Sequence, residues 1–286
     1  MSGGGLRWYV KKSARMVCNF GTGMSVIRAV RRSLASGPCA RVLTYHRFGY
    51  SHHDPFCVSR DDFAAQMEML AGEGRAISLQ QLQGFIAGEL TVPQDACLVT
   101  IDDGMLSTLT EALPVLQEFK IPAVAYVSAA LVGRAADAGP ERYLTWDELR
   151  EVSASGLIVI GSHACTHRSM ALLSLADAYD EMQRSRQLLQ DELNTDVRSF
   201  AYPFGTQSDF NAGTDKALAE AGYSVAFSSV HGSVRQGMTP ISLPRVKVEG
   251  GESLQMFSRI SRGGMDTWRI VDRTLWRLQR VRSEVS

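Results

Sequence analysis

Two adjacent carboxylates, Asp102 and Asp103, stand directly after an apolar run and directly before Gly104. Such a pair is costly to bury because its charges repel each other, so a positive partner is expected beside it. The side chains of adjacent residues diverge, which argues against the two opposed carboxylates of a glycosidase. A metal ligand beside a proton acceptor is the better interpretation. A helix N-cap followed by a turn aspartate is the simpler alternative.

His163 and His167 form a second candidate pair, which follows the apolar run that ends at Ile160. Histidines four residues apart lie on one face of a helical turn, with Cβ atoms roughly 6 Å apart, so their imidazoles can bind one divalent ion. A lone histidine is usually structural, but a pair at this spacing favours metal binding. Together with one of the two aspartates, the pair makes a ligand set that leaves room for water and substrate, as in catalytic metal sites.

His46 ends the first apolar run and is a third candidate; alone, it would be interpreted as a histidine bonded to a neighbouring loop. All three candidates depend on strands that end just before them. Apolar runs of four or five residues, rich in β-branched or aromatic side chains, predict eight strands. These are Arg41–Tyr45, Arg75–Ser78, Cys97–Ile101, Ala123–Val127, Leu157–Ile160, Ser199–Tyr202, Val225–Ser228 and Arg245–Val248.

Helices are predicted between the strands. They begin at Ser59, at the capping-box pair Thr145 and Glu148, and at Ser174. This alternation predicts a mostly parallel sheet, and seven or eight strands in about two hundred residues favour an α/β fold of the (β/α) barrel type. We expect the barrel to be distorted or incomplete and flanked by N- and C-terminal helices, with a doubly wound sheet as second choice. In such folds the active site lies beyond the carboxyl ends of the strands, where all three candidates lie.

The amino-acid composition indicates which kinds of partner and which cellular compartment to expect. The 286 residues carry no formal net charge, so nothing indicates a nucleic acid as partner. Five cysteines, an odd number without CxxC spacing, argue against a disulfide framework or a structural zinc site and fit a reducing compartment. No secretory signal and no run of ~18 apolar residues is visible, which predicts a cytoplasmic protein. A divergent or trimmed export signal is the alternative.

Three motifs in order resemble a known family: Thr100–Gly104 (TIDDG), Ser162–His167 (SHxxxH) and Arg198–Gly205 (RSFAYPFG). They resemble the first three motifs of the NodB-type polysaccharide deacetylases, carbohydrate esterase family 4. The segment Leu43–His46 resembles the Leu-x-x-His motif at the position typical of the poly-N-acetylglucosamine deacetylase branch. The resemblance places a deacetylase domain at residues 41–250, between an N-terminal extension, 1–40, and a C-terminal Arg-rich segment, 251–286.

The resemblance implies a metal-dependent hydrolase that removes an N-acetyl group from an amino sugar in a polysaccharide, oligosaccharide or lipid-linked glycan. It implies that Asp103, His163 and His167 bind the metal. Zinc is the first expectation, and nickel, cobalt or iron suit the same ligands. Asp102 is then the general base, and His46 is the acid that protonates the departing amine.

The third motif implies a groove wall formed by Phe200, Tyr202 and Pro203, with the Tyr202 backbone N–H helping to hold the oxyanion. Two departures from the family pattern have consequences. Ala201 stands where many relatives carry an arginine that orients the base, so either Arg198 or another group orients it, or the base is oriented differently. No Leu-x-x-His follows the third motif, which leaves His231 as a rival to His46 for the acid.

Both ends of the chain carry basic amphipathic patterns. Apolar residues fall near one helical face in two groups: Met24, Ile27, Val30 and Leu34, and then Trp268, Val271, Leu275 and Leu278. Helices packing on the barrel are slightly favoured. The alternative is peripheral association with an anionic inner-membrane surface, with Trp268 and Trp276 at the headgroups.

Two other functions keep the same fold. One is a metal-dependent amidase acting on a non-carbohydrate amide, and the other is a non-catalytic carbohydrate-binding protein. The presence of a base, three ligands and a candidate acid favours the enzyme.

Overall fold

The computed structural model describes residues 12–18, 37–50, 54–136 and 141–274. Its strands are β1 (Ala40–Tyr45), β2 (Arg47–Phe48), β3 (Cys57–Val58), β4 (Ala96–Ile101), β5 (Ala123–Val127), β6 (Ile158–Ser162), β7 (Ser199–Ala201), β8 (Val225–Phe227) and β9 (Val246–Lys247). Seven of these described strands form one sheet in the order β8-β7-β6-β5-β4-β1-β9, and every neighbouring pair is parallel. Strands β2 and β3 pair separately.

The sheet curls until its two edges approach each other. Leu243 bridges to Phe227 of β8, and three residues later Val246 pairs with Leu43 of β1. The stretch that leads into the edge strand β9 therefore also contacts the opposite edge strand, β8. This confirms the predicted distorted (β/α) barrel with seven strands.

Strand β1 shows why these sequences form a sheet that is buried on both faces. All six of its residues are buried. Leu43 and Tyr45 pack in the cluster shared with most of the helices, whereas Ala40 and Val42 pack in a second cluster with Leu82 of the helix Leu79–Ala87. Near-continuous apolar runs are typical of parallel strands because both faces are covered.

Helices surround the sheet. Within the described residues the α-helices are Arg60–Gly72, Leu79–Ala87, Leu113–Phe119, Trp146–Ala154, Leu175–Leu193, Ala212–Glu220, Leu254–Ile260 and Trp268–Thr274, and residues 12–18 are also α-helical. The predicted helix starts are confirmed. Ser59 and Ser174 are N-caps whose side chains accept from backbone N–H groups, and Thr145 forms a reciprocal capping box with Glu148.

One predicted strand is wrong. Residues Arg75–Ser78 make a single bridge, between Ala76 and Cys97, and no strand. The run is cut short because Ser78 is already the N-cap of the next helix, in a capping box with Gln81. The other predicted strands are present, with ends that differ by no more than two residues, as is usual for such boundaries.

Packing on the barrel accounts for part of the amphipathic pattern near the C-terminus. Trp268 packs against the main core and Asp272 is buried, which fits a helix that lies on the barrel. Met24, Ile27, Val30, Leu34, Leu275, Trp276 and Leu278 lie outside the described residues. No helix in the described ranges has the length and apolar character needed to cross a bilayer. Association with a membrane surface stays a prediction.

Candidate active site

The three groups of candidate residues follow three strands of the same parallel sheet. His46 follows β1, Asp102 follows β4, and His163 follows β6. Tyr45 and Ile101 are register partners, and the Asp102 N–H donates to the Tyr45 carbonyl at 2.9 Å. The carboxyl ends of parallel strands share one edge, so these loops meet there.

The backbone at Asp103 is unusual. Asp103 and Gly104 both have left-handed conformations, with φ of 76° and 74°. Asp103 carries the strain that a side chain meets in this region, and such residues concentrate at functional sites. A Cβ at position 104 would also lie 3.2 Å from both γ-carbons of Val127, so both the backbone conformation and the limited space favour glycine there.

The two histidines meet Asp103 as the sequence predicts, but not on a helical turn. Residues 163–167 form a loop in which Ala164 and His167 have positive φ, 62° and 59°. The imidazole ring centroids are 4.9 Å apart. The Asp103 Oδ1 atom lies 3.6 Å from His163 Nε2 and 3.4 Å from His167 Nε2. The helical geometry inferred from the spacing was wrong, although the spacing does bring the rings together.

These three side chains fit a bound divalent cation. His163 Nδ1 donates to the Ala201 carbonyl at 2.7 Å, and this bond assigns the tautomer in which Nε2 is a lone-pair acceptor. That lone pair faces a carboxylate oxygen, another acceptor, so a cation between them is favourable. Two ligands of one tetrahedral zinc ion, with bonds of ~2.0–2.1 Å, lie about 3.3 Å apart, close to the separations observed. The three ligand atoms lie within 4.8 Å of one another.

Burial and neighbouring charges shift the pKa values of all three side chains. Burial opposes ionisation of Asp103, but the hydrogen bond from His167 and the nearby histidines outweigh it and hold the pKa of Asp103 well below its usual range. Burial lowers the pKa of His163. It also acts to lower that of His167, where the interaction with Asp103 is stronger and leaves the pKa raised.

Asp102 is held by a buried arginine that sequence reasoning missed. Arg245 donates to both of its carboxylate oxygens, at 2.8 and 2.7 Å, and also to the Ser228 carbonyl at 2.9 Å. Burial acts to raise the pKa of Asp102, but the Arg245 guanidinium outweighs burial and leaves the pKa lowered. Asp102 is therefore an ionised carboxylate with a fixed orientation.

The prediction that Arg198 orients Asp102 is wrong. The Arg198 side chain is exposed and pairs with Asp196. One signal in the sequence pointed to Arg245: it is a charged residue at the start of a predicted buried strand, and such a charge needs a partner.

The predicted groove wall also needs correction. Phe200 is fully buried in the main core, with its ring 5.2 Å from that of Tyr202 and 5.1 Å from that of Tyr223. The Tyr202 N–H donates to the Phe227 carbonyl at 3.0 Å, so it is already used in pairing with β8 and cannot serve an oxyanion without breaking that bond. Pro203 is buried as well.

Phe204 takes the exposed position beside the metal-ligand candidates. Its ring lies 4.9 Å from that of His167 and the residue is 42% exposed. Its φ of 59° is uncommon for a bulky residue and follows from the sharp turn that continues through Gly205.

The two candidate acids lie in different surroundings. Burial is the largest influence on His46 and outweighs the attraction of Asp103 and Asp102, so its pKa is lowered to about 4. The His46 ring lies 4.8 Å from that of Phe56, and its buried Nδ1 has no hydrogen-bond partner within the described residues.

His231, in contrast, belongs to the C-terminal packing. Its Nδ1 and its backbone N–H both contact Asp272 Oδ2, at 2.9 and 2.8 Å. The ring lies 6.3 Å from that of Trp268. These contacts give His231 a role in docking the helix Trp268–Thr274, and they weaken its case as an acid.

A curled parallel sheet that gathers a carboxylate pair and a histidine pair beyond its strand ends defines an α/β-barrel protein with a candidate metal site. Residues 89–226 match the family described as polysaccharide deacetylase. The solved structure of IcaB from Ammonifex degensii superposes with a TM-score of 0.69 and 30% identity, covering 80% of this chain and 97% of that one. The chain belongs to the polysaccharide deacetylase family.

Two relatives known by sequence extend this comparison. YxkH of Bacillus subtilis (strain 168) is 25% identical over 217 residues, which cover 76% of this chain and 74% of YxkH. The poly-beta-1,6-N-acetyl-D-glucosamine N-deacetylase of Escherichia coli (strain K12) is 25% identical over a 219-residue alignment. That alignment covers 64% of this chain but only 32% of the relative. The resemblance drawn from the three motifs is confirmed.

Proposed function

We propose that this protein is a metal-dependent de-N-acetylase that hydrolyses the acetamide of an N-acetylated amino sugar in a glycan. Asp103, His163 and His167 would hold one divalent ion, zinc by preference, with nickel, cobalt or iron as compatible alternatives. The observation that carries the proposal is the approach of both Nε2 atoms to one oxygen of Asp103, at 3.6 and 3.4 Å, next to an Asp102 that Arg245 keeps ionised.

Each residue then has a defined task. A divalent cation at this site would lower the pKa of water and polarise the amide carbonyl. Asp102 accepts the proton of the attacking water, which its lowered pKa permits at neutral pH. His46 donates a proton to the departing nitrogen. Its pKa of about 4 leaves it neutral at neutral pH, so it must take up the proton that it donates as negative charge develops on the tetrahedral intermediate and raises its pKa.

The substrate proposal rests on relatives and on the exposed rings. The name of the Escherichia coli relative states a poly-β-1,6-linked N-acetylglucosamine substrate for that protein. In this chain, Phe56 beside His46 and Phe204 beside His167 are 37% and 42% exposed. We propose that these rings pack against sugar faces on either side of the reacting acetamide.

Amine release is the direct test. The purified protein is stripped with a chelator, reloaded with zinc, cobalt or nickel, and incubated with β-1,6- and β-1,4-linked N-acetylglucosamine oligomers. We expect free amine and acetate in equal amounts from the loaded protein and none from the stripped protein. If no loaded form releases amine from either oligomer, the proposed function is wrong.

The acid is tested by comparing two histidine variants. We expect His46→Ala to lower turnover by about 10²-fold, since a positioned acid contributes 10²–10⁴-fold, with metal content unchanged. His231→Ala should lower the melting temperature, because it breaks the contact with Asp272, and leave turnover per folded molecule near the wild-type value. The opposite pattern of turnover would transfer the role of acid to His231.

A further inference from the structure

The loop that carries the two histidine ligands is held by hydrogen bonds from other segments of the chain. Residues 163–167 are neither helix nor strand, and Ala164 and His167 both have left-handed backbones. Buried backbone groups of such a loop need partners from elsewhere in the molecule. The carbonyls of Ala164 and Cys165 accept from the N–H groups of Ala129 and Ala130, at 3.2 and 2.9 Å. The N–H groups on the same residues need separate acceptors.

Glu181 supplies an acceptor between the two ligands. One of its carboxylate oxygens accepts from the N–H groups of Cys165 and Thr166, at 3.0 and 2.8 Å. The other accepts from the Thr166 hydroxyl at 2.7 Å. Both carboxylate oxygens are thus used on two consecutive residues that lie between His163 and His167.

The same helix makes a second contact one turn further on. Ser185, four residues after Glu181 in the helix Leu175–Leu193, contacts the Ser162 hydroxyl at 2.8 Å. That hydroxyl accepts from the Ala164 N–H at 3.2 Å. The helix therefore holds the loop on both sides of its first left-handed residue, and Glu181 provides the charged part of this support.

We propose that Glu181 is a positioning residue for metal binding, which sets the separation of the His163 and His167 rings through the backbone of the loop. The inference rests on the metal site of the proposed function. Hydrogen bonds to a charged carboxylate are stronger than neutral ones, and three of them converge on a segment of two residues. Without them, the loop can relax away from its two left-handed residues, and the imidazoles lose the spacing that suits one ion.

Metal affinity, rather than activity, is the appropriate measurement. Groups that hydrogen-bond the metal ligands themselves typically contribute 10–100-fold to metal affinity. Glu181 bonds the backbone between the ligands, partly in contact with solvent, so the lower end of that range is expected. We expect Glu181→Ala to weaken zinc binding by about tenfold in a chelator competition, and Glu181→Gln to weaken it by less, since one oxygen acceptor remains. Thr166→Val removes only the hydroxyl contact and should have the smallest effect. The visible absorption spectrum of the cobalt-loaded Glu181 variants should change in shape as the ligand geometry changes.

Asp180→Asn is the matched control. Asp180 is the neighbouring residue of the same helix, its side chain is exposed, and it pairs with Arg184 on the surface. Its loss should leave zinc affinity within about twofold of the wild-type value, because a surface pair contributes little. If Glu181→Ala does not fold, Glu181→Gln and Thr166→Val carry the test.

The outcomes separate this inference from the proposed function. Wild-type zinc affinity and a wild-type cobalt spectrum in a folded Glu181→Gln variant would overturn the inference and leave the proposed function untouched. Weaker zinc binding in that variant, with no amine release by the wild-type protein, would support the inference and reject the deacetylase. A wild-type protein that binds no divalent metal would overturn both.

Discussion

Two arginine–carboxylate pairs in this molecule have the same bidentate geometry in opposite surroundings. Arg245 holds Asp102 at 2.8 and 2.7 Å, and Arg142 holds Glu148 at 2.7 and 2.6 Å. The first two side chains are 1% and 3% exposed, and the second two are 40% and 22% exposed. Distances alone would therefore rank the pairs as equals.

Because one pair is buried and the other is exposed, losing a partner should have a different effect on stability in each. Removing one partner of a buried pair leaves an uncompensated charge and costs about 3–5 kcal/mol, whereas exposed pairs contribute about 0–1 kcal/mol. The buried pair also fixes Asp102 at the strand ends where the candidate ligands meet. The exposed pair supports a helix start at Thr145. The same interaction thus prepares a candidate catalytic carboxylate in one place and supports a helix cap in the other.

The largest effect we expect is on turnover in Asp102→Asn. The amide cannot accept the proton, so turnover should fall by about 10²–10⁴-fold, the range that general bases contribute. Metal content should be unchanged, because Asp103 and not Asp102 faces the histidines. Steady-state amine release together with metal analysis of the purified variant checks both parts.

Glu148→Gln is the control for this first comparison, since it neutralises the carboxylate of the exposed pair. We expect its turnover to stay close to the wild-type value. Loss of metal from Asp102→Asn would mean that the two adjacent aspartates have been assigned to the wrong roles.

The second prediction concerns stability. Arg245→Met leaves Asp102 buried without its cation and should lower the free energy of unfolding by about 3–5 kcal/mol. Arg142→Met, the matched change at the surface, should lower it by no more than about 1 kcal/mol. Urea unfolding of both variants gives the two values directly.

The double variant Arg245→Met/Asp102→Asn sharpens this result. It removes the buried charge together with its partner, so it should recover part of the stability that the single Arg245 variant loses. If Arg245→Met proves as stable as Arg142→Met, burial does not distinguish the pairs and the comparison fails. If Arg245→Met does not fold, Arg245→Lys, which keeps the charge and loses the bidentate fork, replaces it.

The sequence predicted the parts of the site that follow strands. Asp103, His163 and His167 each stand just after an apolar run, and the parallel sheet brings those run ends to one edge. The rule that places active sites beyond strand ends applies only to residues that follow the carboxyl end of a strand. Arg245 stands before β9 and contacts Asp102 across 143 positions of sequence, so the same rule could not find it.

Two local predictions failed because contacts with other segments of the chain determine the backbone there. The spacing of His163 and His167 suggested a helical turn, but their loop contains residues with left-handed backbones. The spacing of residues in a sequence does not reveal such conformations. The Tyr202 N–H was assigned to an oxyanion, yet the pairing of β7 with β8 uses it. Hydrogen bonds between distant segments decide both cases, and a single sequence does not display them.

The third prediction concerns a buried arginine outside the site. Arg15, from the helical residues 12–18, bonds Glu252 at 2.9 Å and the Lys247 carbonyl at 2.8 Å, and lies 3.4 Å from Glu249. All three charged side chains are almost fully buried. This cluster ties an N-terminal segment to the strand that follows Arg245.

We expect Arg15→Met to lower the free energy of unfolding by about 1.5–3 kcal/mol, less than Arg245→Met, because loss of the docked segment would let water reach the two glutamates. Turnover per folded molecule should change little, and thermal unfolding with amine release measures both. An effect on turnover as large as that of Arg245→Met would show that this clamp also shapes the site.

The smallest effect we expect is the pH dependence of the exposed pair. The hydrogen bond from Arg142 is the main reason that the pKa of Glu148 is lowered to about 2, against about 4.3 in an unfolded chain. A carboxylate with a depressed folded pKa stabilises the protein fully above the unfolded value, and this stabilisation is lost as the pH falls from about 4.3 to about 2. Solvent screening limits the contribution to less than about 1 kcal/mol.

Glutamine also serves at the third position of a capping box, so Glu148→Gln removes the charge and keeps the cap. The stability gap between wild type and this variant should therefore be present at pH 7 and shrink between pH 4.3 and pH 3, and 0.5 M salt should reduce it at pH 7. A gap that stays constant with pH and salt would assign the role of Glu148 to the cap alone.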